Sequence, residues 1–283
     1  MRRRRLVRVP ASSANLGPGF DVMGAALDLH MEVEVEETGR FGVHTDLWIA
    51  RDRRNLVVRG FEALAPPDEF EFTIRSDIPL SGGLGTSAAA YVAGLVAADS
   101  IFELGADLLA EATKLEGHPD NVAAALHGGF VLCSNDHAER FEPPDGLECL
   151  LVVPSKAVRT QKAREALPSR IPVSDAVFNI AHASLLVLGL AKGDLDLVAR
   201  GLGDRIHQPR RAHLYPRSWD LVQRAKELGA LGATISGAGP TVLVWCEFST
   251  TGAVSERLEE LAEGWAHVYR VPFTGVGAEV RAL

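Results

Sequence analysis

The chain has 283 residues, 47% of them hydrophobic, and a net charge of −8. That is enough apolar material for one large or two medium cores, and the negative balance argues against nonspecific nucleic-acid binding. The basic run Arg2 to Arg5 reads as a solvated end, and the longest uncharged apolar window, Ala88 to Ala98, is too short to span a bilayer. A soluble, cytoplasmic protein with no membrane partner is expected. Cys133, Cys149 and Cys246 sit far apart in apolar, strand-like stretches. They read as buried small hydrophobes in a reducing compartment, not as metal ligands.

In chain order, Leu6-Val-Arg-Val predicts a short strand, and the Ser-, Asn-, Gly- and Pro-rich stretch Ala11 to Gly19 a loop. Met31-Glu-Val-Glu-Val-Glu and Phe70-Glu-Phe-Thr-Ile alternate as half-wet strands do. Helices are expected over Asn55 to Leu64, Thr86 to Phe102, Leu108 to Leu115 and Asp120 to Leu126. The second of these is apolar almost all round and should be buried. Strands follow at Gly128 to Cys133 and Glu148 to Val153, and a domain boundary falls near Pro154.

The second half predicts helices at Thr160 to Leu167, Val173 to Ala191, Asp194 to Arg200, Pro216 to Leu228 and Thr251 to Ala262. Ser174 or Asp175 is the expected N-cap of the long apolar one. Strands are expected at Ala233 to Ile235, Thr241 to Cys246 and His267 to Val271. This irregular alternation predicts an α+β protein of two layered domains.

Pro79-Leu-Ser-Gly-Gly-Leu-Gly-Thr-Ser-Ala-Ala-Ala is the most telling stretch. Its glycines let backbone N–H groups turn toward a ligand, and the unpaired N–H groups opening the next helix favour an anion. Neither a Walker A lysine nor Rossmann spacing is present. Three further polar clusters stand out: Ser12 to Asp21, Glu116-Gly-His-Pro-Asp-Asn121, and Asp204-Arg-Ile-His-Gln-Pro-Arg-Arg211. Each also fits a plainer role as turn, helix cap or solvated charge run. No His-Glu-x-x-His and no Gly-x-Ser-x-Gly occurs, so zinc hydrolysis and acyl transfer lack support. Together the clusters could supply phosphoryl transfer with a phosphate cradle, hard oxygen donors for Mg²⁺ in Ser87 and Glu116, and arginines for a carboxylate-bearing acceptor.

Four motifs in this order resemble the GHMP superfamily of small-molecule kinases, and within it the homoserine kinases. They are Pro10-Ala-Ser-Ser-Ala-Asn-Leu-Gly-Pro-Gly-Phe-Asp-Val-Met-Gly, Pro79-Leu-Ser-Gly-Gly-Leu-Gly-Thr-Ser-Ala-Ala, Glu116-Gly-His-Pro-Asp-Asn-Val-Ala and Ile235-Ser-Gly-Ala-Gly-Pro-Thr. The resemblance spans nearly the whole chain. It implies an ATP-binding, ribosomal-protein-like α/β domain over residues 1–154, a ferredoxin-like domain over 155–283, and an active site between them. The implied reaction is ATP- and Mg²⁺-dependent phosphorylation of L-homoserine for threonine synthesis. The family is often dimeric, so a homodimer is the implied assembly.

Carried over by position, Pro79, Leu80, Ser81, Gly82, Gly83, Leu84, Gly85, Thr86, Ser87, Ala88 and Ala89 would wrap the ATP phosphates. Ser87 and Glu116 would hold Mg²⁺. Asn15, Asp21 and His118 would face homoserine, and Arg164 and Arg211 its carboxylate. Asn121 stands where mevalonate-type relatives carry a proposed aspartate base; an amide cannot be a base. Direct attack by the substrate hydroxyl is then implied, with Asp21 the alternative base. Thr86 and Arg210 depart from the family pattern, and Arg210 leaves open which arginine of the pair reaches the carboxylate. A kinase for threonine or an isoprenoid alcohol, or an inactive ligand-binding relative, are the rival readings.

Overall fold

The computed structural model describes residues 3–80, 82–135, 137–156 and 160–283. Its elements are β1 (Arg4–Ala14), β2 (Met23–Glu37), β3 (Gly42–His44), α1 (Leu56–Glu62), β4 (Phe70–Ser76), α2 (Thr86–Phe102), α3 (Leu108–Glu116), α4 (Asp120–His127), β5 (Phe130–Ser134), β6 (His137–Phe141) and β7 (Leu147–Pro154). Then come α5 (Thr160–Glu165), α6 (Val173–Lys192), α7 (Leu195–Gly201), α8 (Gln208–Arg211), a 3-10 turn (Ala212–Leu214), α9 (Pro216–Arg224), β8 (Gly232–Ile235), β9 (Val242–Glu247), α10 (Thr251–Ala262), β10 (Ala266–Arg270) and β11 (Glu279–Ala282).

The architecture is α+β, built on two sheets. The first runs β11-β1-β2-β4-β3, with β5 also paired to β2 and carrying β6. The second is antiparallel in the order β10-β7-β9-β8. By sheet membership the division expected after Pro154 falls one strand earlier, because β7 belongs to the second sheet. The C-terminal strand then returns to the first, where Arg5 pairs with Ala282.

The stretch expected to be a loop from Ala11 is strand as far as Ala14. A register shift between Pro10 and Ala11 bends β1, and residues 11–14 pair with 27–24 of β2. Ser12 and Ser13 are fully buried there, and their side chains bond to Asn121 and Ser236. Those polar partners lie far away in the chain, so local composition reads as loop.

α2 is buried from Ala88 to Ala98, as its apolar sequence requires. α6 starts after Pro172, with no side-chain cap from Ser174 or Asp175. By length and composition alone it is also apolar enough to cross a membrane, with a mean hydropathy of 1.6. One side, through Leu186 and Gly189, packs on α7, while Val177 and Ile180 are exposed. All three cysteines are buried and free; burial pushes the Cys133 and Cys246 thiols up to about 12, so neither is a nucleophile at neutral pH.

Candidate active site

A cavity of 180 Å³ lies where β1, the start of α2, the start of α4, α5, α8 and the loop after β8 converge. The glycine stretch forms one wall. Gly82, Gly83 and Gly85 all have left-handed backbone (φ +60°, +104° and +65°), and Gly85 is the N-cap of α2. At Gly83 a Cβ would stand 2.3 Å from the Ser236 carbonyl oxygen. The Ser236 hydroxyl donates to the Gly83 carbonyl, tying the stretch to the loop after β8. Gly83→Ala should therefore lower stability by about 1–3 kcal/mol through clash and strain together. Urea unfolding measures this, and an unchanged midpoint would contradict the contact.

Leu80, Gly82, Gly83, Gly85, Thr86 and Ser87 line the cavity. Pro79 does not, and Leu84, Ala88 and Ala89 turn their side chains into the core. The side chains of those four do not line the cavity, so any part they take in wrapping a phosphate is through the backbone. Ser81 lies outside the described residues.

Facing the cradle, Ser87 donates to Glu116 Oε1 at 2.6 Å. Glu116 is the last residue of α3, where the helix dipole disfavours a negative charge. Burial raises its pKa above the ordinary carboxylate range, although the Ser87 hydrogen bond and His118 pull it down. Two hard oxygens in contact beside a phosphate cradle suit Mg²⁺, which keeps waters and needs few protein ligands. His118 Nδ1 lies 3.2 Å from Asp120 Oδ1 without hydrogen-bond alignment, and this carboxylate raises the imidazole pKa.

The opposite wall holds the residues expected to face the acceptor. Asn15 and Asp21 sit in a loop with non-glycine residues at positive φ (+70° and +56°), conformations that concentrate at functional sites. Asn15 donates to the Gly237 carbonyl at 2.8 Å and accepts from the Asp21 N–H at 2.9 Å. Arg164 donates twice to Asp21, at 2.9 and 3.1 Å. This pair was not foreseen, since Arg164 was expected to serve the substrate carboxylate alone.

Arg211 lines the cavity and is only 2% exposed, whereas Arg210 turns outward toward Asp175 at 3.7 Å. Asn121 lines the floor, its Oδ1 accepting from Ser12 at 2.9 Å. The expected residues Asn15, Asp21, Ser87, Glu116, His118, Asn121, Arg164 and Arg211 thus meet around one space.

Behind Arg211, His207 is fully buried, and burial lowers its pKa. Its unfolded pKa is about 6.5, so below that value the unfolded chain binds a proton that the native chain refuses. Stability is therefore lost as pH falls through about 6.5. Against His207→Phe, the parent's thermal midpoint should lose ground between pH 7 and 5.5, because the His118 and Glu116 contributions of opposite sign are common to both proteins.

Phe20, Asp120 and Gly237 also line the cavity and had been assigned no role. Phe20 lies under two guanidinium groups, 5.3 Å from that of Arg211 and 5.8 Å from that of Arg164. A second, more apolar cavity of 330 Å³ shares Leu80, Thr86 and Ser87 with the first. It is lined by Met31, Leu47, Ile49 and Ile74, and no sequence pattern marked it.

Models of the GHMP kinases N terminal domain and of the GHMP kinases C terminal match residues 55–129 and 186–267. The fold is that of a GHMP-type kinase. A homoserine kinase of Moorella thermoacetica is 40% identical, with 85% of this chain and 87% of the relative covered. One from Streptomyces avermitilis is 41% identical over 98% and 95%. The crystal structure of homoserine kinase from Cytophaga hutchinsonii superposes with a TM-score of 0.88 at 31% identity, covering 99% and 98%. This chain belongs to the homoserine kinase family.

Proposed function

We propose that this protein transfers the γ-phosphoryl group of ATP to the side-chain hydroxyl of L-homoserine, giving ADP and O-phospho-L-homoserine for threonine synthesis. One observation carries the reading. A single cavity joins a glycine phosphate cradle, the Ser87–Glu116 oxygen pair and the buried cation Arg211. Relatives at about 40% identity carry the same activity in their names.

The N–H groups at Gly82, Gly83, Gly85 and the start of α2 hold the phosphates. The apolar cavity beside Thr86 takes the adenine ring. Ser87 and Glu116 would hold Mg²⁺, which would supply charge neutralisation on the phosphates. Arg211 anchors the homoserine carboxylate, and Asp21, held by Arg164, takes its ammonium group. That fixes the acceptor at one end and leaves its hydroxyl directed at the cradle.

Asn121 is an amide and takes no proton. The hydroxyl oxygen attacks phosphorus in line as the bond to the β-phosphate oxygen breaks. Its proton leaves to a phosphate oxygen or to solvent. Alignment of the two substrates and the charges around the transferring group lower the barrier.

ADP release measured with homoserine, threonine, mevalonate and galactose tests the acceptor. Homoserine should give the highest kcat/KM. Good turnover of another alcohol beside none of homoserine would overturn the assignment.

A further inference from the structure

Arg211 is a buried guanidinium, and a buried charge is costly unless its N–H groups are satisfied. Among the described residues its hydrogen bonds go only to neutral acceptors. Nε donates to the Ala163 carbonyl at 2.8 Å. One Nη reaches the Gly237 carbonyl at 3.4 Å and His207 Nδ1 at 3.2 Å. Among the described residues no carboxylate pairs directly with it as Asp21 does with Arg164, although Asp21 and Asp204 lie near enough to favour its charge.

The imidazole can play this part in one tautomer only. His207 Nε2 lies 2.7 Å from the Gly17 carbonyl oxygen, which can only accept, so Nε2 carries the proton. The Asp204 carboxylate, 3.5 Å from Nε2, favours the same arrangement. Nδ1 is then a lone pair aimed at an arginine N–H. A proton on Nδ1 would set two donors face to face. Asp204 is itself fixed by the N–H groups of Ile206, His207 and Gln208 and by Asn179. His207 and Arg211 sit four residues apart, on one face of the turn that α8 makes.

We propose that His207 is a positioning residue for Arg211: its neutral Nδ1 fixes the guanidinium toward the cavity without neutralising it, and so sets the affinity for the carboxylate of the acceptor. The inference rests on reading Arg211 as the carboxylate anchor.

The test compares homoserine with 3-aminopropan-1-ol, which is homoserine without its carboxylate. The readouts are the KM for homoserine, the KM for ATP, and the inhibition constant of 3-aminopropan-1-ol against homoserine. His207→Phe should raise the homoserine KM about tenfold and leave the other two within about twofold. His207→Gln keeps a donor toward Gly17 but moves the acceptor off the δ position, and should behave like His207→Phe. It carries the test if the Phe variant fails to fold. His207→Asn returns an acceptor at the δ position and should recover part of the affinity.

Equal losses for homoserine and 3-aminopropan-1-ol would make the role merely structural and overturn the proposal. An unchanged homoserine KM in a folded variant would overturn it too. Arg211→Ala, measured alongside, separates the two levels of the reading. If it distinguishes the two compounds and the His207 variants do not, only the role of His207 falls. If Arg211→Ala fails to distinguish them, the anchor reading falls, and this inference with it.

Discussion

Arg211→Ala should raise the KM for homoserine about 100-fold, with a smaller change in the KM for ATP. About 100-fold corresponds to about 2.7 kcal/mol. A charge-assisted hydrogen bond contributes about 1.5–3 kcal/mol, and a guanidinium facing a carboxylate can make two. Burial enlarges the effect, because water screens this cation little. Part of the loss is indirect. Arg211 Nε holds the Ala163 carbonyl, one residue before Arg164, so its removal also loosens the arginine that pairs with Asp21. Arg211→Lys should recover little, since an ammonium cannot reproduce the planar fork. Steady-state kinetics with both substrates varied is the check. An unchanged homoserine KM would move the anchor to Arg210, against the outward position of that side chain.

Glu116→Ala should lower kcat about 1000-fold at millimolar Mg²⁺, and a large excess of Mg²⁺ should restore part of it. A carboxylate at the C-terminal end of α3, raised in pKa by its own burial, destabilises the apo protein. A divalent cation beside it and Ser87 would remove that penalty, and the same contact would place positive charge next to the phosphates. Without Glu116 the metal would reach the site only as part of Mg·ATP, held by the cradle and Ser87. Titrating Mg²⁺ at fixed ATP for both proteins gives the comparison. Full activity of the variant at low Mg²⁺ would refute the metal role. Unfolding data should show Glu116→Ala at least as stable as the parent without metal.

Local signals were the legible ones. α2 begins at Thr86 and ends at Phe102 as read, because the run Gly82 to Gly85 stops just before it and the apolar stretch Ala88 to Ala98 fills its middle. The order of polar clusters was readable too, and all of them reach one cavity. What stayed hidden depends on partners distant in sequence. Ser12 and Ser13 look like loop residues until Asn121 and Ser236 bond to them. β3 and β6 are short and border the sheet, while β11 is exposed throughout, so none of them alternates clearly.

The arginine pair 210–211 could not be resolved from composition. The turn of α8 decides it, sending one side chain inward and its neighbour out. The Arg164–Asp21 pair and the apolar cavity beside Thr86 were invisible for the same reason. Each is assembled from segments brought together only by the fold.

Phosphoryl transfer between two specific oxygens leaves a distinct product, which gives the most direct test. The protein incubated with Mg·ATP and L-homoserine can be followed by ³¹P NMR. A new phosphomonoester resonance, split by the two protons of the adjacent methylene, should grow in step with ADP. ADP accompanied only by inorganic phosphate, or no ADP at all from folded protein, would contradict it.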